Sequence, residues 1–299
     1  MGDPRRYRPV NSSLPDAERP RAGDAMASGM VRLIPPGLDA VIVLVRHGET
    51  EFIVEGRFQG QMETPLTRRG ELQLGLTGHR VAHPQDDPPL PIPDTAPFLI
   101  AHSPLARTRR SAELIATALA EAGRAGPPPR PEGGLLEIAQ GEWEGLTDTE
   151  ISTRFGDSLA AWRRWPERSH APGGESLEQV RLRVEATLAN LLAALADGGK
   201  PGTLDRNQVL GYADDGPAEK RWALLVGHAG VFRVVVCVLL GLSLDHFWNF
   251  DFGLGGVSVI EIRGGRAVLR GLNLEPPAGE GRVGSGQGLD DERNESGAL

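Results

Sequence analysis

Three apolar blocks in this chain stop abruptly at polar or glycine-marked corners, and helical patterns fill the intervals between them. Residues 41–45 read Val-Ile-Val-Leu-Val before Arg46, His47 and Gly48. Residues 98–101 read Phe-Leu-Ile-Ala before His102, Ser103 and Pro104, and residues 222–226 read Trp-Ala-Leu-Leu-Val before Gly227 and His228. Short, wholly apolar runs of this kind are the pattern of central parallel strands buried on both faces. Residues 67–81, 105–122 and 176–196 carry apolar side chains at helical spacing, with Thr or Ser near several starts. The apolar run 234–240 is far shorter than the roughly 20 residues that cross a bilayer, and reads as a buried helix. Residues 257–262, the pair Gly264-Gly265 and residues 266–271 predict a terminal β-hairpin, because the glycines supply the positive φ of a tight turn.

Alternating strands and helices imply right-handed crossovers and helices on both faces of the sheet. The expected fold is α/β, a three-layer α/β/α sandwich around a mostly parallel central sheet. In such sheets ligands bind beyond the carboxyl ends of the strands, where the three polar corners fall.

The composition turns to Arg, Pro, Gly and Ser over 1–38 and to Gly, Glu, Asp and Ser over 275–299, so both are expected to be disordered tails around a domain at 39–274. The first of these lacks the apolar core of a secretory signal. Residues 83–97 and about 197–219 read as surface loops, the second an insertion. A net charge of −8 over 299 residues, with few Lys/Arg runs, excludes general nucleic-acid binding, which needs a basic surface. No membrane association is expected. Cys237 is the only cysteine, so no internal disulfide and no cysteine-based zinc cluster can form, and a reducing cytoplasm is the expected compartment. Amid Val and Leu, Cys237 reads as core packing.

The densest chemistry lies in Leu44-Val-Arg-His-Gly-Glu-Thr50, which resembles the signature of the histidine phosphatase superfamily, the phosphoglycerate mutase-like enzymes. The likeness continues through 56–60 (Gly-Arg-Phe-Gln-Gly), 64–67 (Thr-Pro-Leu-Thr) with Gly70, and 103–108 (Ser-Pro-Leu-Ala-Arg-Thr) with Ser111 and Ala112. It extends to 136–145 (Leu-Glu-Ile-Ala-Gln-Gly-Glu-Trp-Glu-Gly), 174–177 (Gly-Glu-Ser-Leu) and 226–233 (Val-Gly-His-Ala-Gly-Val-Phe-Arg), in the family's order across roughly 40–273.

The resemblance implies that His47 is the nucleophile, that His228 sits beside the transferring phosphoryl group, and that Glu137 donates the proton to the leaving alkoxide and later activates water. Elementary chemistry agrees. A phosphate monoester carries close to two negative charges, so a nucleophile reaches phosphorus only where cations neutralise its oxygens. Arg46 and Arg107 offer planar guanidinium groups suited to bidentate phosphate contacts. A backbone carbonyl on the other ring nitrogen would hold His47 neutral and ready to attack. Thr50 and Gln59 are further candidate phosphate contacts. Ile53 departs from many relatives, which carry a phosphate-binding Asn there. No metal and no cofactor are called for. The expected partner is a small-molecule phosphate ester, with a homodimer left open.

Several residues have plainer readings. His79 and His83 are four apart on a helix and could share a face, but no third ligand is evident nearby, so they read as solvated surface. His102, beside Ser103, reads equally well as a pocket or a structural residue. Trp143, Trp162, Arg163, Arg164, Trp165 and Arg168 lie in or beside the expected cap, about 138–175, either selecting the leaving group or packing inward. The run after Glu137 is similar to the phosphatase branch and not to the Arg-His-Tyr-Gly run of the cofactor-dependent mutases, and the mutases' paired cap prolines are missing. A phosphomonoesterase is therefore expected, with a bisphosphoglycerate-dependent mutase or a non-catalytic phospholigand-binding protein as alternatives. The broad phosphatases and the α-ribazole phosphatases share the 174–177 block and the 257–260 ending.

Overall fold

The computed structural model describes residues 33–197 and 220–274. The expectations for 1–32, 198–219 and 275–299 lie outside the described residues. Within them, six strands form one sheet: β1 (Ala40–Arg46), β2 (Leu99–His102), β3 (Arg130–Pro131), β4 (Arg221–Gly227), β5 (Val257–Arg263) and β6 (Arg266–Leu274), ordered β3-β2-β4-β1-β5-β6. The first four run parallel; β5 is antiparallel to both β1 and β6.

The two-residue period of the strands sorts the core. Ala40, Ile42 and Leu44 of β1 join one buried cluster with α5 (Leu177–Ala196) and α6 (Ala229–Leu240). Val41, Val43 and Val45 point the other way, into a cluster with α2 (Arg68–Ala82) and α3 (Ala106–Glu121). Strand β1 is therefore apolar at both alternations because both its faces are covered, and the three-layer sandwich is the fold observed.

Side chains set the helix starts. Thr67 caps α2 by accepting the N–H of Gly70, and Ser176 forms a capping box with Gln179 at α5. The hairpin turn is the pair Gly264 and Gly265, at φ 51° and 81°, with Arg263 opposite Arg266. Three elements were not legible. Strand β3 is two residues in a proline-rich run, α1 (Glu51–Glu55) is little more than one turn, and α4 (Asp148–Arg164) bends at Phe155 inside the expected cap.

One boundary changes. Residues 33–38, assigned from composition to the N-terminal tail, belong to the folded unit: Leu38 is buried, and Leu33 and Ile34 pack on the α5–α6 side of the core. The Pro and Gly around these apolar side chains obscured them. Among the described residues no helix is long and apolar enough to cross a membrane.

Candidate active site

The strand register assembles the site. Arg46 at the end of β1 lies opposite Gly227 of β4, and His102 of β2 opposite Val226, so His47, His228 and Ser103 follow at neighbouring strand ends. The N–H of His47 donates to the Gly227 carbonyl at 3.0 Å, and that of Ser103 to Val226 at 3.0 Å. The His47 and His228 rings meet edge-on, 5.1 Å between centroids. Helices α3 and α6 begin just beyond β2 and β4, and a carboxylate already meets each N-terminus: Glu63 accepts the Ala106 N–H at 2.9 Å, and Glu137 accepts N–H groups at the start of α6.

His47 Nδ1 lies 2.7 Å from the Gly48 carbonyl oxygen. A carbonyl can only accept, so Nδ1 carries the proton and Nε2 the lone pair. Burial, then the charges of Arg107 and Arg46, hold the imidazole pKa well below its ordinary range, against the opposing Gly48 bond. His228 is likewise held low by burial first and then by Arg107, His47, Arg46 and Arg183. Its Nε2 lies 2.8 Å from Ser103 Oγ, while its Nδ1 is buried with no protein partner. With the Ser103 hydroxyl donating to Nε2, Nδ1–H becomes a free donor beside His47.

Backbone carbonyls hold both arginines. Arg46 Nη1 donates to Phe252 at 2.6 Å. Arg107, in the first turn of α3, donates from Nη1 to Met62 and from Nη2 to Gly60, at 2.8 and 2.7 Å. Burial lowers the Arg107 pKa to about 10, opposed by the carboxylates of Glu137, Glu63 and Glu144, so it stays charged at neutral pH. Among the described residues no carboxylate forms an ion pair with it, and its Nε is buried without a partner. Carbonyl dipoles orient the guanidinium while leaving its charge for an incoming anion.

Glu137 is buried, against the ordinary solvated carboxylate it would be in isolation. Its Oε1 accepts the N–H groups of Ile138 and Val231, both at 2.9 Å, and Oε2 accepts that of Gly230 at 3.2 Å. Since His228, the N-cap residue of α6, makes no side-chain cap bond, Glu137 caps that helix from across the fold. Oε2, with a single N–H partner, keeps a lone pair for a proton.

The sequence reading missed the clamp behind Glu137. Arg183 of α5 donates to the carbonyls of Gly134, Leu136 and Glu137 and forms a bidentate pair with Glu175, whose Oε2 also accepts from Ala139 N–H at 2.9 Å. Gln61 Nε2 donates to the Glu137 carbonyl at 2.9 Å, and Glu144 Oε1 accepts the N–H of Gln61 at 3.0 Å. The segment that carries Glu137 and the 60–62 loop that grips Arg107 are thus one network. Glu175 and Ser103 fall inside matched blocks, which was the available signal; Arg183 carried none.

Thr50 and Gln59, both expected as phosphate contacts, are hydrogen-bonded to each other. Thr50 Oγ1 caps α1 and donates to Gln59 Oε1 at 2.8 Å, and Thr64 Oγ1 donates to the same oxygen at 2.8 Å. The two hydroxyls fix the amide with Nε2 as its outward donor. Ile53 sits on α1 and offers no side-chain donor. His102 is buried, its Nδ1 2.7 Å from the Ser103 carbonyl. Trp143 and Trp162 are buried, the latter against Phe247 and Trp248; Arg163 pairs with Asp148, Arg164 lies over Trp165 and Arg168 pairs with Glu167.

Two imidazoles that feel the charges of Arg107 and Arg46, with a buried carboxyl on the same helix start as His228, are an arrangement suited to phosphoryl chemistry. The chain belongs to the histidine phosphatase superfamily (branch 1), whose model matches residues 42–199 and 207–275, and with it to the phosphoric monoester hydrolases. It is 27% identical over 242 residues to phosphoserine phosphatase 1 of Hydrogenobacter thermophilus, covering 80% of this chain and 94% of the relative. It is 29% identical over 226 residues to glucosyl-3-phosphoglycerate phosphatase of Mycolicibacterium vanbaalenii, covering 75% and 84%. Among solved structures, the mycobacterial glucosyl-3-phosphoglycerate phosphatase in complex with VO3 superposes with a TM-score of 0.59 at 25% identity, over 79% of this chain and 100% of that one.

Proposed function

We propose that the protein is a metal-independent phosphomonoesterase of small phosphorylated metabolites, working through a phosphohistidine on His47. The observation that carries this reading is the Gly48 carbonyl on His47 Nδ1, which leaves Nε2 as the nucleophile, with the His228 ring beside it and the charges of Arg107 and Arg46 acting on it. Nε2 attacks phosphorus as the ester P–O bond breaks, and Glu137 gives its proton to the departing alkoxide. Arg46, Arg107 and His228 Nδ1–H neutralise the charge on the phosphoryl oxygens. Water then attacks the phosphohistidine, the P–N bond breaks, Glu137 takes the water's proton, and inorganic phosphate leaves. The arginines supply the positive charge that a metal ion would otherwise bring, so no step needs one.

Gln59 Nε2 is the donor that stands in this proposal where relatives use the Asn replaced by Ile53. Both curated relatives named above are phosphatases of phosphorylated metabolites by name, which supports the substrate class and leaves the leaving group open. The same proposal assigns the enzyme to the cytoplasm, since Cys237, buried and alone, gives this chain no disulfide to form. The test is phosphate release from a panel of monoesters in EDTA, wild type against His47→Ala, with acid quench to trap the acid-labile phosphohistidine. Release that EDTA abolishes or that survives His47→Ala would refute the mechanism. Phosphoryl exchange without release would favour the mutase.

A further inference from the structure

His79 and His83 stand one turn apart at the C-terminal end of α2, and Asp86, three residues beyond His83, supplies a third ligand that helical spacing does not reveal. After His83 the chain turns back and brings Asp86 beside the two rings, so that one ligand atom from each residue lies within 4.8 Å of the others. The imidazoles stack with centroids 4.3 Å apart, and all three residues are exposed. His83 Nδ1 lies 2.9 Å from the His79 carbonyl, which makes it the protonated nitrogen and leaves Nε2 as the donor. That kind of outer bond orients metal-binding histidines.

The backbone beneath the cluster is held in place. Arg80 Nη1 donates to the Asp86 carbonyl at 2.8 Å, and the Asp86 N–H to the His83 carbonyl at 3.1 Å. Arg124 ties the carbonyls of Val81 and Ala82, at the helix end, to those of Pro93 and Thr95 in the returning loop. On this anchored backbone the three donors, now within 4.8 Å of one another, would have to close to the roughly 3.3 Å separation of a tetrahedral ion with bonds of about 2.0–2.1 Å.

We propose that His79, His83 and Asp86 bind one divalent cation of the zinc class, with water completing the shell. Two imidazoles and one carboxylate suit zinc, whereas calcium and magnesium favour all-oxygen shells. The site is separate from the phosphoester site: α2 has 15 residues, about 22 Å of helix, and its first turn touches Gly48 while the histidines sit at its end. Its effect is to staple the 83–97 loop to α2, since a metal bound only by the folded state adds stability. It does not depend on the phosphatase reading.

The test titrates EDTA-stripped full-length protein with Zn²⁺ alone by calorimetry and with Co²⁺ alone by visible absorption. We expect one equivalent at this site, a raised Tm, and affinity weakened at least about tenfold in His83→Gln and in Asp86→Asn, with phosphate release in EDTA unchanged by either. All seven histidines of the chain lie within the described residues, so His47→Ala is the control and should bind as wild type does at this site. No binding by the wild type, undiminished binding by the His83→Gln/Asp86→Asn double variant, or loss only in His47→Ala would overturn the proposal.

Discussion

Glu137 Oε1 accepts the Val231 N–H at 2.9 Å, so the carboxyl proposed to move the proton is also the cap of α6. The helix that begins at the site and the acid that works there are mutually dependent. Replacing Glu137 by Gln removes the transferable proton and turns an NH₂ toward one of the N–H donors. kcat/KM for alkyl phosphates should fall by about 10²–10⁴-fold, and by less than about tenfold for p-nitrophenyl phosphate, whose leaving group departs unprotonated. Urea unfolding should register a further loss of about 1 kcal/mol for the cap. Equal losses on the two esters would show that Glu137 is not the acid.

Arg183 should matter to catalysis without touching substrate. Arg183→Ala releases the carbonyls of Gly134, Leu136 and Glu137 and leaves Glu175 without its ion-pair partner. The expected stability loss is about 2–3 kcal/mol, as for charge-assisted hydrogen bonds. kcat should fall by more than KM rises, because the segment that moves carries Glu137 itself and reaches Arg107 only indirectly, through Gln61 and the 60–62 loop. A raised KM with unchanged kcat would contradict this.

Thr64→Val removes one of the two hydroxyls that orient the Gln59 amide. The amide then gains freedom to turn its oxygen toward the phosphate. A KM increase of about five- to tenfold, worth about 1–1.4 kcal/mol, should appear with kcat little changed, and Thr64→Ser should restore it. Inorganic phosphate inhibition provides an independent readout of the same contact.

Acid should weaken the fold through His47 and His228. Both are neutral when folded and protonate near 6.5 once unfolded, because burial and then Arg107 depress their folded values. The unfolded state therefore binds more protons below that pH. Their stabilising contribution is complete above about pH 6.5 and is lost as pH falls toward the folded values, by up to about 1.4 kcal/mol per pH unit for each histidine. In urea melts at about pH 7 and 5.5, His228→Gln should show a shallower pH dependence than wild type; an identical slope would refute the assignment. The nucleophile should likewise stay active below pH 6.5.

Gly48 is a packing residue as much as a motif residue. A Cβ on it would stand 2.5 Å from the Gly70 carbonyl oxygen and 2.4 Å from Leu74 Cδ2, because the first turn of α2 lies against the loop that follows His47. Gly48→Ala must push that turn away and disturb the carbonyl that holds His47 Nδ1. Loss of several degrees in Tm together with loss of activity is expected; a variant as stable and active as wild type would contradict so close an approach.

The strands β1, β2 and β4 and the helices α2, α3, α5 and α6 were legible because each carries a repeat, continuous or helical, long enough to outweigh local noise. Arg46, His47, Arg107, Glu137 and His228 were legible as members of ordered blocks at strand ends and loops. Strand β3, helix α1 and the Leu33, Ile34 and Leu38 contacts were not, being too short or too mixed with Pro and Gly for any period to show.

What only the tertiary structure decided are relations between residues far apart in the chain. Val231 under Glu137, Ser103 on His228, Phe252 on Arg46 and Arg183 behind Glu137 are set by strand register and by how the layers pack. A sequence carries periodicity and local motifs, which follow from backbone geometry over a few residues. The partner of a buried polar atom is chosen by which distant segment lies within about 3 Å once the layers pack, and that is a property of the whole fold.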